Sequence, residues 1–283
     1  MKRHLPVTEL ARDDRFVRIT VEERIADPRT VAASTDSSGR KRTPKRLTPS
    51  RPDAPDAARA VMHGIFVGEI QALEGAGRTC FDYDTGTGRD EVPFAMKLDM
   101  ARQCWDEARH CEISVKLNEW MGTDIGEFAE NTFLYEAACH PDPVCRLTGV
   151  NRALEGLAID VFNTMRDFGK VAGDPVLEFC EDWMLADEVT HVKMGSDWLR
   201  RLTAEDPERR KQALDFQRVV DKLFSNGGLR GEGDDSPIQL ARTFRHMAGF
   251  SADEVDDIAA LSEQAKLEAG ARADTRAARL TGG

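Results

Sequence analysis

No stretch of this 283-residue chain approaches the roughly 18 consecutive apolar residues that a membrane-spanning helix needs. Its first ten residues, MKRHLPVTEL, lack the apolar centre of a signal peptide. No membrane partner and a cytoplasmic setting are therefore expected. Positive charge is in deficit: 39 Lys and Arg stand against 50 Asp and Glu, a formal net charge of −11. That balance disfavours general binding to nucleic acid or anionic lipid. None of the six cysteines forms a C-x-x-C pair, so neither a zinc ribbon nor a disulfide framework is indicated. Asp167-Phe168-Gly169 has no glycine-rich loop or other kinase motif beside it and reads as coincidence.

What is present is enough apolar material, 41% of the residues, for a sizeable core. The first 55 residues do not read as part of it. Arg15 to Glu23 alternates enough for one short strand. Arg40 to Arg51 carries six basic residues and no acid, read as a solvated, partly flexible arm rather than a phosphate-contacting one. From Ala57 onward apolar residues recur at helical spacing. The pattern predicts helices over 57–82, 94–121, 143–170 and 175–203, a shorter one over 126–138, and further helices over 205–225, 237–248 and 251–273, separated by Gly- and Pro-rich breaks. Ser251 and Glu254 have the form of a capping box. The expected fold class is all-α: an arm over 1–55, a helical core over 56–204 and a helical extension over 205–283.

Chemistry concentrates around the histidines, of which there are six, at positions 4, 63, 110, 140, 191 and 246. Two of them close the same string, Asp106-Glu107-x-x-His110 and Asp187-Glu188-x-x-His191, each deep inside a long predicted helix. Residues three apart share a helical face one turn apart, so the Glu and His of each string can reach one metal ion. A two-metal site between four helices takes one further Glu from each of the other two. Glu155 stands 33 residues before Glu188, across a turn near Ala172 that puts both at one level of a hairpin, on a stripe with Ala158, Ile159 and Phe162. In the helix over 57–82 two glutamates compete. Glu69 shares an apolar stripe with Met62, Ile65 and Phe66, whereas Glu74 shares a polar one with His63, Gln71 and Arg78. An inward carboxylate needs a metal or a partner, an outward one needs only water. Glu69 is favoured, with Glu74 the alternative. Such oxygen- and nitrogen-rich ligation suits iron or manganese better than thiolate-preferring metals.

Glu69, Glu107-x-x-His110, Glu155 and Glu188-x-x-His191 together resemble the ferritin-like di-iron carboxylate superfamily, and Gly68-Glu69-Ile70-Gln71-Ala72 is similar to the first metal-binding helix of its rubrerythrin-type members. The resemblance covers residues 57–203 and lies nearest to bacterial ferritin-like proteins of largely unassigned function. It implies a ferritin-like four-helix bundle in which Glu69, Glu107 and His110 hold one iron and Glu155, Glu188 and His191 the other, with Glu107 and Glu188 bridging. These six would form the catalytic centre. Asp106 and Asp187 would each accept a hydrogen bond from the far nitrogen of a ligand histidine on the opposite hairpin. The implied cofactors are two Fe ions, with Mn/Fe as an alternative, and dioxygen as co-substrate. The implied activity is that of an oxygenase or oxidase on a small organic substrate in a biosynthetic pathway. N-oxidation of an amine or hydrazine is preferred; C–H hydroxylation or desaturation, peroxide scavenging and iron storage are the alternatives. An external electron donor or reductase would be needed, and the terminal helices permit a homodimer.

Weaker signals remain. Arg152, one turn before Glu155, and Glu181, two turns before Glu188, are candidates for a buried ion pair lining a substrate pocket. Cys104 and Cys111 read as small apolar fillers. Tyr135, Trp105 and Trp183 read as packing residues. Cys139 and Cys145 bracket His140 at a spacing that matches no zinc pattern.

Overall fold

The computed structural model describes residues 16, 18–19, 55–128, 130–225, 230–232 and 236–280. The basic segment Arg40 to Arg51 and most of the 1–55 arm lie outside these residues. The chain is mostly helical: α1 Pro55–Asp82, α2 Phe94–Trp120, α3 Phe133–Ala138, α4 Pro143–Leu147, α5 Glu155–Ala172, α6 Pro175–Leu202, α7 Pro207–Phe224, α8 Arg242–Met247 and α9 Ala252–Leu280. A π-helical turn, Thr148–Leu154, joins α4 to α5. Two-residue strands β1 Arg18–Ile19, β2 Asp84–Thr85, β3 Glu91–Val92, β4 Glu130–Asn131, β5 Arg230–Gly231 and β6 Ile238–Gln239 pair as β1 with β4, β2 with β3 and β5 with β6. The fold class is all-α. Among the described residues, no helix is long and apolar enough to cross a membrane.

Asp-Pro pairs set several helix starts. Proline at the first helical position has no N–H to leave unsatisfied, and the aspartate before it accepts from the free N–H groups that follow. Asp142 takes Val144 and Cys145, Asp174 takes Val176 and Leu177, and Asp206 takes Arg209. The Ser251–Glu254 capping box closes in both directions, at 3.2 and 2.8 Å. α1 lies along α2 and α5 along α6, and the pairs meet where α1 touches α5 and α2 touches α6. Between them sits an apolar core that includes Met62, Ile65, Leu117, Ile159, Phe162, Met165, Leu177 and Met184.

Three predicted helices are shorter than the periodicity suggested. The segment over 126–138 is helical only from Phe133, because Gly126 turns at φ 80° and Glu130 and Asn131 pair with the β1 strand. In the segment over 237–248, residues Ile238 and Gln239 pair with β5, and α8 starts at Arg242. The helix over 143–170 is broken by the π turn. Residues 143–156 are all buried there, wrapped by α3, α6 and α7, so no solvent face exists to impose a 3.6-residue period. Gly149 lets α7 close in: a Cβ at this position would lie 2.6 Å from Phe216 Cε1.

The C-terminal segment is fastened to α5 by buried ions. Arg245 donates to both oxygens of Asp160, at 2.9 and 2.6 Å, and to Gly156 O at 2.7 Å. A second buried pair joins that segment to α7, where Arg230 donates to Asp221 Oδ1 at 3.3 Å. All four of these side chains are buried. Removing one member of such a pair leaves an uncompensated charge in the interior. Arg245→Met is expected to lower unfolding stability in urea by about 3–5 kcal/mol, and Asp160→Leu combined with Arg245→Met to recover much of that loss. A loss under about 1 kcal/mol in the single variant would contradict the role given to this pair.

Candidate metal centre

Four helices bring the sequence-predicted residues to one place. α1 supplies Glu69, α2 supplies Asp106, Glu107 and His110, α5 supplies Glu155, and α6 supplies Asp187, Glu188 and His191. Two groups of candidate ligands result: Glu69, Glu107, His110 and Glu188, and Glu107, Glu155, Glu188 and His191. Within each, one ligand atom per residue lies within 4.8 Å of the others, and every member is buried. Glu107 and Glu188 belong to both groups. Glu74 belongs to neither and is half-buried on another face of α1.

The imidazoles define the geometry. His110 Nδ1 lies 3.0 Å from Glu69 Oε2, 3.1 Å from Glu107 Oε2 and 3.2 Å from Glu188 Oε1. His191 Nδ1 lies 3.2 Å from Glu107 Oε1 and 4.0 Å from Glu155 Oε2. Glu107 thus turns one oxygen to each histidine. The far nitrogens cross between helices: His110 Nε2 meets Asp187 Oδ2 at 3.3 Å, and His191 Nε2 meets Asp106 Oδ2 at 3.2 Å. A carboxylate on Nε2 leaves Nδ1 to face the glutamates. Arg109 donates to Asp106 and lies 3.5 Å from Asp187, so one guanidinium ties the two aspartates together. It also stacks over Trp183, whose ring centroid is 6.0 Å from that of His110.

Sequence reasoning missed the amide network behind the glutamates. Gln103 Nε2 donates to Glu155 Oε1 at 2.6 Å and to Glu107 Oε1 at 3.2 Å, while Asn151 Nδ2 donates to Gln103 Oε1 at 2.6 Å. The signal was available for Gln103: it is a polar residue on the inward stripe of Met96, Met100, Glu107 and His110.

The proposed Arg152–Glu181 pair does not form. Arg152 donates to Gln217 Oε1 at 2.8 Å, Ser196 Oγ at 2.5 Å and Glu254 Oε1 at 2.5 Å. The cause is the π turn: its i→i+5 bonding carries a residue three before Glu155 off the face of Glu155. Glu181 is fully buried, and neither carboxylate oxygen has a hydrogen-bond partner. Tyr135 accepts from Arg78 at 2.7 Å, on the far side of α1. Trp105 is exposed. Neither metal-ligand group found among the described residues includes a cysteine.

Electrostatics show why these groups call for cations. Burial, then neighbouring glutamates, push Glu69 and Glu155 well above the usual carboxylate range. Burial acts on Glu107 in the same sense, but His191 and His110 outweigh it and hold that carboxyl low. Glu188 is also held low, by Glu155 beside it and by the two imidazoles, against burial and the charge of Glu107. Both histidines are raised: Asp187 and the glutamates overcome burial at His110, and Glu107 and Glu188 do so at His191. With Glu69 and Glu155 protonated and both imidazoles charged, the six side chains are electrically neutral. Two divalent cations in place of four protons give the same neutrality. Glu188 Oε1 and Oε2 and His191 Nδ1 have no well-oriented hydrogen-bond partner, and these unpartnered ligand atoms fit a metal.

A proton linkage follows. The folded, metal-free protein holds protons at Glu69, Glu155, His110 and His191 that the unfolded chain releases above about pH 4.5 and 6.5. Raised carboxyls oppose folding as pH rises, and raised imidazoles lose their stabilising effect through their folded values, so both signs agree. Metal-free protein is expected to lose thermal stability between pH 6 and 8, and loading two divalent cations to release about four protons. Calorimetry in buffers of different ionisation enthalpy measures this; metal uptake without proton release would contradict it.

No curated protein and no solved structure matches this chain. A family model described as "Protein of unknown function (DUF455)" matches residues 3–256, and the chain belongs to that family.

Proposed function

We propose that the two Glu-x-x-His helices and the glutamates facing them hold two iron ions in a ferritin-like four-helix bundle over residues 56–204, and that the centre oxidises a small organic substrate with dioxygen. The observation that supports this reading is the pair of buried ligand groups, each with one imidazole nitrogen, sharing Glu107 and Glu188. The donor set of four carboxylates and two imidazoles suits iron, and also manganese with iron. Two ferrous ions, if held by these residues, would supply two electrons to dioxygen.

The chain's own residues prepare the site. Asp106 and Asp187 accept hydrogen bonds from the Nε2–H groups and fix both rings with Nδ1 toward the glutamates that would hold the metals. Gln103 holds Glu155 and Glu107 from behind. Arg109 offsets the charge of the two aspartates. Complete burial of Glu107, His110, Glu188 and His191 keeps bulk water from the reacting atoms. The reductant is an external donor, because the chain has no C-x-x-C pair to hold an iron–thiolate centre of its own. The substrate chemistry we favour is N-oxidation of an amine or hydrazine, ahead of C–H hydroxylation or desaturation.

Protein expressed with added iron is expected to carry about two irons per chain, and the reduced form to give a transient visible absorbance when mixed with oxygen in stopped flow. Glu69→Ala is expected to lose close to one metal equivalent and Glu74→Ala none. Iron that never reacts with oxygen, or equal metal loss in the two variants, would overturn the assignment.

A further inference from the structure

Glu181 has no part in the centre described above. It lies on the inner stripe of α6, which runs Leu177, Glu181, Met184, Glu188. Seven residues separate it from Glu188, two turns or about 10 Å along the helix axis. It is fully buried, and both carboxylate oxygens lack a partner. Other carboxyls buried as deeply are compensated: Asp160 by Arg245, and Asp221 by Arg230. The stripe around Glu181 is apolar, with Leu177, Met184 and Leu185 in one cluster with Leu117, Ile159, Phe162 and Met165. On the same side, Ser114, one turn beyond His110, directs its hydroxyl only at Met184 Sδ, 4.0 Å away. Burial holds the Glu181 carboxyl well above the usual range, with His110 the group that opposes it.

A buried carboxyl without a partner weakens the fold, and an apolar residue at 181 would pack this stripe better. A ligand that brings a partner removes that defect. A carboxylate among apolar side chains pairs with a cation, and the glutamates of the centre turn an anion away. Three methionines, Met62, Met165 and Met184, belong to the same packed cluster. Their unbranched side chains yield to a guest more readily than leucine or isoleucine.

We propose that Glu181 is the recognition residue for a substrate bearing a basic nitrogen, an amine, amidine or guanidine, whose cation pairs with the carboxylate while the remainder displaces the methionines of the apolar cluster and extends toward Glu188. The substrate role rests on the oxygenase reading. The two-turn separation adds a constraint: the nitrogen held by Glu181 and the position that is oxidised are different atoms of one molecule.

The test uses iron-loaded protein under anaerobic conditions, with n-pentylamine, charged at neutral pH, and neutral n-pentanol as probes. Their affinities are measured by calorimetry for wild type, Glu181→Gln and Glu181→Met. The amine is expected to bind wild type at least tenfold more tightly than either variant, and pentanol to bind all three alike. Glu181→Met, which fills the same space without charge, is expected to raise the melting temperature. Equal amine affinity in wild type and variants, no amine binding to wild type, or a lowered melting temperature in Glu181→Met would overturn the assignment. Metal content separates this failure from the other: wild type with less than two metals per chain defeats the di-iron reading, whereas two metals with no preference for the amine defeats only the role of Glu181.

Discussion

Four glutamates brought together away from water must be neutralised, and much of the rest of the structure serves that constraint. Glu69, Glu107, Glu155 and Glu188 are all buried and arrive from four different helices. Mutual repulsion among them, added to the loss of hydration, would push those helices apart. His110 and His191 answer part of the charge, and protons or divalent cations the remainder. The same arrangement binds protons in the absence of a cation and brings together ligand atoms that could hold one. Asp106, Asp187 and Arg109 form a second layer, whose alternating charges keep each imidazole turned the same way.

The scaffold around this cage is tied to the C-terminal half by ions as well as by packing. Arg152, one turn from Glu155, reaches α9 through Glu254, and Asp160, in the next turn of α5, receives Arg245 from α8. Glu254 also caps the N-terminus of α9. The residues that hold α5 in place thus come from segments more than 80 positions away in the chain. Through these ties the C-terminal extension fixes the helix that carries Glu155.

Parts of this were legible in the sequence because they follow local rules. The repeated Asp-Glu-x-x-His string is a one-turn relation that survives any packing, and the Ser251–Glu254 box is equally local. Glu69 could be told from Glu74 because burial on a two-sided helix follows its apolar face. Where no solvent face exists, the rule has nothing to act on. Residues 143–156 are buried all round, so the π turn left no periodic trace, and with it went the orientation of Arg152. The partner of Arg152 stands 102 residues later, and nothing in the spacing points to it. Gln103 was overlooked for a different reason: a neutral amide on an inward stripe makes sense only once the carboxylates it serves are in place.

The proposed chemistry depends above all on Glu107 and Glu188 being shared between two metal ions. Anomalous diffraction at the iron edge from iron-loaded crystals tests this most directly. Two peaks per chain are expected, about 3.5–4 Å apart, both touching Glu107 and Glu188, one beside His110 Nδ1 and the other beside His191 Nδ1. A single peak, or iron located away from these two glutamates, would contradict it.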